Sequence, residues 1–330
     1  MQMKWLLATA VLLFGATIGA ADMRLGIIGI DTSHATAFAS LLNRANKKPE
    51  YEGFRIVVAY QWGSRDIPSS VNRYPRFLAD MAKNNVEMVD SIAALLAKVD
   101  AVLIETNDGR LHLEQATEVF RSGKPVYVDK PVAHTLVDTL KMFEAAKKHN
   151  TTFFSSSALR YVKNAQAARA GEFGKIRGAV VYSPGGAEQH HSRYYWYGMH
   201  AFEPLMTIMG RGVKNVTAVK GAGGVEMVTG VWQDGRLGTA WCGTPWYGGV
   251  IMTTDRKCGD KGMVQMGGYE GYECLLNEIL TFFKTGKAPI DPEETIELFA
   301  FMEAAAQSFA NGGQPVSVEK VLSEARAELH

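Results

Sequence analysis

The chain has 330 residues, 47% of them hydrophobic and 21% charged, with a formal net charge of +1 at pH 7. That length exceeds most single cores and suits two domains, and the near-zero charge removes any bulk electrostatic case for nucleic acid or an anionic membrane as partner. The three cysteines, Cys242, Cys258 and Cys274, have no C-x-x-C spacing, so no zinc framework is expected and they read as ordinary buried thiols.

Lys4 is the only charge before Asp22, and Trp5 to Ala21 is an apolar run that ends on Gly19-Ala20-Ala21. One positive charge, a short apolar core and a small-residue exit predict a signal peptide over residues 1–21, hence an exported protein, periplasmic or otherwise extracytoplasmic. An uncleaved anchor is the alternative, but the run is shorter than the ~20 apolar residues a span wants, so no stable membrane span is expected after cleavage.

From Arg24 the pattern alternates. RLGIIGI (24–30) reads as a buried parallel strand, and Ser33 is the expected cap of a helix over 34–46. A strand over 54–60, a helix over 75–83, a short strand over 86–89 and a helix over 91–98 follow. Then come a strand over 101–105, a helix over 111–122, a strand over 125–131, a helix over 135–149 and a strand over 151–157. Strands alternating with helices predict a doubly wound parallel sheet, which binds ligands at the carboxyl ends of its strands. After residue 158 the rhythm changes. A helix over 159–170, a strand over 175–182 and a helix over 198–209 precede strand-like segments at 213–220, 225–233, 237–243, 249–254 and 263–267. Their close spacing predicts an antiparallel sheet, with an Asp234-Gly235 hairpin turn among them. Helices over 272–285 and 292–311 close the chain, the second capped by Asp291 with Pro292 in its first turn. The expected division is 1–21 leader, 22–150 nucleotide-binding domain and 151–330 substrate and oligomerisation domain.

The first turn, Gly29-Ile30-Asp31-Thr32-Ser33-His34, keeps only the first glycine of a dinucleotide fingerprint. Free N–H groups at the helix start, with the Thr32 and Ser33 hydroxyls, still suit an anion. Asp31 serves either as a turn and cap residue or as a ligand. After the second strand, Gln61 or Ser64 can meet a ribose and Arg65 a 2′-phosphate. Asp129-Lys130-Pro131 lies at the ligand-binding edge of the fifth strand, where Lys130 can hold negative charge on a substrate oxygen. His200 and Glu203 share one face of a helix, so the carboxylate can orient the imidazole. The preceding HHSRYYWYGM, with Tyr194 to Tyr197, reads as a cleft wall suited to stacking on sugar faces. His190, His191 and His200 raise the question of a metal, but adjacent histidines seldom share one and no acidic cluster neighbours them in sequence, so no metal site is expected.

These segments resemble the glucose–fructose oxidoreductase/inositol dehydrogenase (Gfo/Idh/MocA) family over nearly the whole length beyond the leader. The carriers are RLGIIGI, DSIAALLAKVDAVLIET, LHLEQATEVFRSGKPVYVDKPVAHTL, LRYVKNAQAARAGEFGKIRGAVV, MHAFEPLMTIMG and DPEETIELFAFMEAAAQSFANGGQPVSV, with GKPVYVDKP the most specific. The resemblance implies an α/β fold: a Rossmann-like parallel sheet followed by an α/β domain with a large, mostly antiparallel sheet. It implies an NAD(P)-dependent oxidoreductase acting on a sugar, polyol or glycoside hydroxyl, with NAD or NADP as cofactor. Lys130 and His200 would be catalytic, with Gly29, Asp31, Thr32, Ser33 and Thr106 on the cofactor side. Arg160, Tyr161, Tyr197 and Glu203 would be on the substrate side. A carbohydrate-like small molecule and a second copy of the chain are the implied partners. The departures are on the cofactor side: Asp31 and His34 replace two glycines, Trp62 the ribose-binding aspartate, and Trp196 a common aspartate four residues before His200. They leave open a non-catalytic carbohydrate-binding protein on a relict Rossmann scaffold, or a lyase or hydrolase using retained NAD without net redox.

Overall fold

The computed structural model describes residues 22–329, so the leader expected over 1–21 lies outside the described residues. The first sheet contains β1 (Met23–Ile28), β2 (Phe54–Tyr60), β3 (Glu87–Val89), β4 (Ala101–Ile104), β5 (Val126–Val128) and β6 (Phe153–Ser155), in the order β3-β2-β1-β4-β5-β6. All of its pairings are parallel. β4 and β5 are buried at every position, because helices cover both faces, which is why their sequences are continuously apolar rather than alternating.

The connecting helices are α1 (Ser33–Asn43), α2 (Pro68–Lys83), α3 (Ile92–Leu96), α4 (Gly109–Arg121) and α5 (Leu136–Lys148). Their starts are set by side-chain caps. Asp108 accepts from the Arg110 amide at 3.0 Å and Thr135 from the Asp138 amide at 3.0 Å. The cap of α1 is Thr32, whose Oγ1 accepts from the Ala35 amide at 3.4 Å, and not Ser33 as the sequence suggested. α2 begins at Pro68, one turn and more before the expected Pro75, which sits inside the helix.

The second sheet has seven strands in the order β12-β11-β7-β10-β9-β8-β13. They are β7 (Ile176–Ser183), β8 (Val213–Lys220), β9 (Glu226–Trp232), β10 (Leu237–Cys242), β11 (Gly248–Thr253), β12 (Met263–Gln265) and β13 (Val316–Ser317). It is mostly antiparallel; the exception is β10, which runs parallel to β7. The expected helix over 159–170 is divided into a 3-10 turn, Ala158–Tyr161, and α6 (Lys163–Arg169). α7 (Met199–Met209) and α9 (Pro292–Ala310) cover one face of this sheet, where Phe202, Trp232 and Phe301 stack edge to face. α10 (Val318–Ala327), with Val318 and Val321 buried, closes the chain beyond the last helix read from sequence.

α8 (Glu273–Thr285) returns to the first sheet. Its Phe282 meets Phe154 of β6 edge to face at 5.3 Å, and Leu275, Leu276 and Ile279 join the core under β1. That return places Tyr272 over the start of α1. No described helix is long and apolar enough to cross a membrane.

Candidate active site

The strand order reverses between β1 and β4, so the crevice lies over the loops that follow them. A cavity of about 280 Å³ opens there. Its floor is the start of α1 (Thr32, Ser33, His34), with Asp129 and Lys130 from the end of β5. Ser157 after β6 and His200 of α7 form the wall opposite, and Trp196, Tyr197, Tyr247, Tyr269 and Tyr272 form an aromatic rim. Lys130 and His200, seventy residues apart in sequence and supplied by different sheets' elements, therefore face one void.

His200 is set by a hydrogen bond to Ser157. Its Nδ1 is hydrogen-bonded to Ser157 Oγ at 2.8 Å, which leaves Nε2 for a ligand. Burial, and then the Lys130 charge, hold its pKa well below the ordinary imidazole range, so the ring is neutral near pH 7. Ser157 is itself fixed from behind. Glu203, one turn along α7 and buried, accepts from the Ser157 amide at 2.7 Å, from Ser156 Oγ at 2.7 Å and from Arg160 Nε at 2.8 Å. Arg160 spans on to Glu294 at 2.7 Å, and Arg169 pairs with the same carboxylate. Glu203, expected to orient His200 directly, thus acts through Ser157. Arg160, Tyr161 and Glu203 stand behind the cavity rather than in its wall. Of the aromatics expected in the cleft, Trp196 and Tyr197 reach it, whereas Tyr194 and Tyr195 are core.

The cofactor side is built differently from the expectation. Gly29 has φ +81°, and a Cβ there would lie 2.3 Å from Thr106 Oγ1, so this glycine serves the close crossing of two loops. Gly29, Asp31 and Thr106 are absent from the cavity wall; Thr32 and Ser33 are in it. Asp31 is buried, its Oδ2 accepting from the Ser64 amide at 3.0 Å and its Oδ1 from the Asn107 amide at 3.1 Å. Burial pushes its pKa up against those backbone bonds. The carboxylate thus ties together the loops after β1, β2 and β4. Asn107 lines the cavity, whereas Ser64 lines a separate groove of about 570 Å³ with Trp62, Arg65 and Arg110. The other residues expected to meet a ribose or its phosphate are engaged locally. Gln61 accepts from Tyr74, and the Arg65 guanidinium lies 4.1 Å above the Trp62 ring.

The Asp31 carboxylate stands between the cavity, which Asn107 lines, and the groove, which Ser64 lines, and is bonded to both residues. In this conformation the residues do not fit an intact NAD or NADP. Sequence reasoning missed Ser69, Arg73, Asn107, Ser157, Tyr247, Tyr269 and Tyr272 in the wall. The last two sit in the glycine-rich Gly267–Gly271 neighbourhood, whose density of tyrosine was a usable signal. It also missed a buried contact set beneath the floor. His34 Nδ1 lies 2.7 Å from Asp129 Oδ2 and 3.9 Å from Glu105 Oε2. Burial and the Asp129 charge push the Glu105 pKa up, whereas Asp129, also buried, is held below the ordinary range mainly by His34.

Residues 23–157 match the oxidoreductase family with an NAD-binding Rossmann fold, Gfo/Idh/MocA. No curated protein sequence matches the chain. Among solved structures, scyllo-inositol dehydrogenase from Lactobacillus casei, with bound NAD(H) and scyllo-inositol, superposes with a TM-score of 0.71 at 14% identity over 90% of this chain and 99% of that one. Myo-inositol 2-dehydrogenase from Lactobacillus plantarum gives 0.67 at 16% identity, covering 90% and 99%. A myo-inositol dehydrogenase from Corynebacterium glutamicum gives 0.68 at 14%, covering 90% and 98%. At these identities the likeness is one of fold. Residues 23–157 thus carry the Gfo/Idh/MocA oxidoreductase match with its NAD-binding Rossmann fold, and the described chain shares the two-sheet fold of these dehydrogenases.

Proposed function

We propose that this chain is an oxidoreductase acting on a hydroxyl-bearing carbon of a polyol or sugar-like small molecule held in the cavity between Lys130 and His200. The observation that carries the reading is the convergence of these two side chains on one void rimmed by tyrosines and tryptophan. In the tautomer that donates Nδ1–H to Ser157, the neutral imidazole presents an Nε2 lone pair to take a hydroxyl proton. The Lys130 ammonium donates to the same oxygen as its charge grows. The aromatic rim stacks on C–H faces of the substrate ring. Oxidation also requires a hydride acceptor, and uptake of a nicotinamide cofactor requires Asp31 to leave Ser64 and Asn107. The solved inositol dehydrogenases support the polyol class by likeness of fold alone.

Asp31 favours a second reading, in which the same pair performs acid–base chemistry, or binds the sugar, without net redox. Titration calorimetry with inositols and hexoses, each with and without NAD or NADP, tests both. The first reading expects polyol binding that Lys130→Met and His200→Ala each weaken with the fold intact, and nucleotide binding that Asp31→Gly tightens. Polyol binding with no nucleotide uptake in either wild type or Asp31→Gly supports the second. Polyols that bind neither the wild type nor its nucleotide complex overturn both. We further place the protein outside the cytoplasm and as a homo-oligomer. N-terminal sequencing from the native host that returns Met1, or a monomer by light scattering, removes those two statements.

A further inference from the structure

We propose that His34, Glu105 and Asp129 form a binding site for one divalent first-row transition cation, of the manganese(II) or zinc(II) class, at the floor of the active-site cavity. The three ligand atoms, one imidazole nitrogen and two carboxylate oxygens, lie within 4.8 Å of one another. They come from the start of α1, the end of β4 and the end of β5, three neighbouring strand ends of one sheet.

Three observations point to an ion rather than to a self-contained polar cluster. First, Glu105 is fully buried, and among the described residues neither of its carboxylate oxygens has a hydrogen-bond partner. Buried carboxylates are ordinarily paired, hydrogen-bonded or bound to metal, and this one lies beside His34 and Asp129. Second, His34 Nδ1 and Asp129 Oδ2 approach to 2.7 Å yet do not meet in hydrogen-bond geometry. Third, Asp129 is oriented from behind in the manner of a supported ligand: its Oδ1 accepts from the Lys130 amide at 2.8 Å, leaving Oδ2 for the cluster. The Tyr272 ring packs edge-on against His34, centroids 4.4 Å apart, and fixes the imidazole plane.

The donor set selects the cation class. An imidazole suits zinc, iron and nickel, and two carboxylates favour harder ions such as manganese, whereas calcium and magnesium rarely take imidazole. Three protein ligands leave coordination positions open, and His34 and Asp129 border the cavity, so the open side is the substrate side. A cation there would sit next to Lys130 and polarise the substrate oxygen that Lys130 meets. His34 stands where a dinucleotide fingerprint has its third glycine, so one substitution both fills the helix–strand gap and supplies a metal ligand.

The protein is stripped with chelator, dialysed and titrated separately with Mn2+ and Zn2+ by calorimetry, with bound metal counted by elemental analysis. One tight equivalent per chain is expected. Glu105→Gln and Asp129→Asn should each weaken it by at least about tenfold to a hundredfold, while His190→Ala, remote from the cluster, leaves it unchanged. If the variants fail to fold, pulsed EPR of Mn2+ on the wild type decides, with coupling to a single imidazole nitrogen expected. No tight equivalent of either ion, undiminished binding in both carboxylate variants, or no nitrogen coupling overturns the site. Metal and polyol binding are read separately: metal bound without polyol removes the function proposed above and leaves this one, and the converse removes this one alone.

Discussion

Replacement of Glu203 by alanine tests whether His200 is held in place from behind. The carboxylate is buried and accepts from three donors, one of them the Arg160 guanidinium at 2.8 Å and another the Ser157 amide at 2.7 Å. Removing it leaves a buried amide without an acceptor, at about 1–3 kcal/mol, and half of the Arg160 charge compensation is lost. Breaking one partner of a buried pair costs about 3–5 kcal/mol; the two losses overlap, so about 3–5 kcal/mol is taken for the whole. Arg160 keeps Glu294 at 2.7 Å, which holds the figure within that range. At about 2 °C per kcal/mol for a chain of this size, the expected fall in Tm is about 6–10 °C, read by calorimetry or by circular dichroism. Because Ser157 Oγ holds His200 Nδ1, the same variant should loosen the imidazole and weaken ligand binding in the cavity beyond the loss of stability. Glu203→Gln keeps the volume and should fall between wild type and alanine. A Tm shift below about 2 °C, with ligand binding unchanged, would refute the claim that this carboxylate positions the site.

Two further outcomes follow from buried carboxylates. Burial alone would raise the Glu294 pKa, but Arg169 and Arg160 outweigh it and hold the group below its usual value. A carboxylate depressed in the folded state contributes stability that is present above its unfolded pKa, near 4.5, and is lost as pH falls through the folded value. Tm should therefore drop on acidification below about pH 4.5, and less steeply in Glu294→Gln; parallel curves for the two proteins contradict the assignment. A Cβ on Gly63 would lie 2.0 Å from Asp31 Oδ1. Gly63→Ala should then destabilise by about 1–3 kcal/mol by overpacking, and Asp31→Gly in the same chain should recover most of it. Additive losses in urea unfolding would show that the two residues are not in contact.

Much of the architecture was readable in the residues. The apolar runs of β1, β4 and β5 declared a sheet covered on both faces, because only a strand buried on both sides can be apolar at every position. The crowding of strand-like segments after residue 210 declared a second sheet. Local signals marked Asp291 and Pro292 at the head of α9, since a cap and its amides are neighbours in sequence. Lys130 and His200 stood out by chemistry and position. What sequence could not supply was anything set by pairing across long separations. The parallel run of β10 beside β7, the return of α8 onto the first sheet and the bonding of Asp31 to Ser64 and Asn107 belong to that group. Asp31 could be read as a turn and cap residue or as a ligand, and sequence did not show what it ties together, because its partners lie 33 and 76 positions away. His34, Glu105 and Asp129 carried no spacing motif, and His190-His191, at which no metal was expected, are held by Glu188. Periodicity and capping act over a few residues and so are written locally. A cluster at the carboxyl ends of adjacent strands, such as His34, Glu105 and Asp129, is gathered only when the sheet closes.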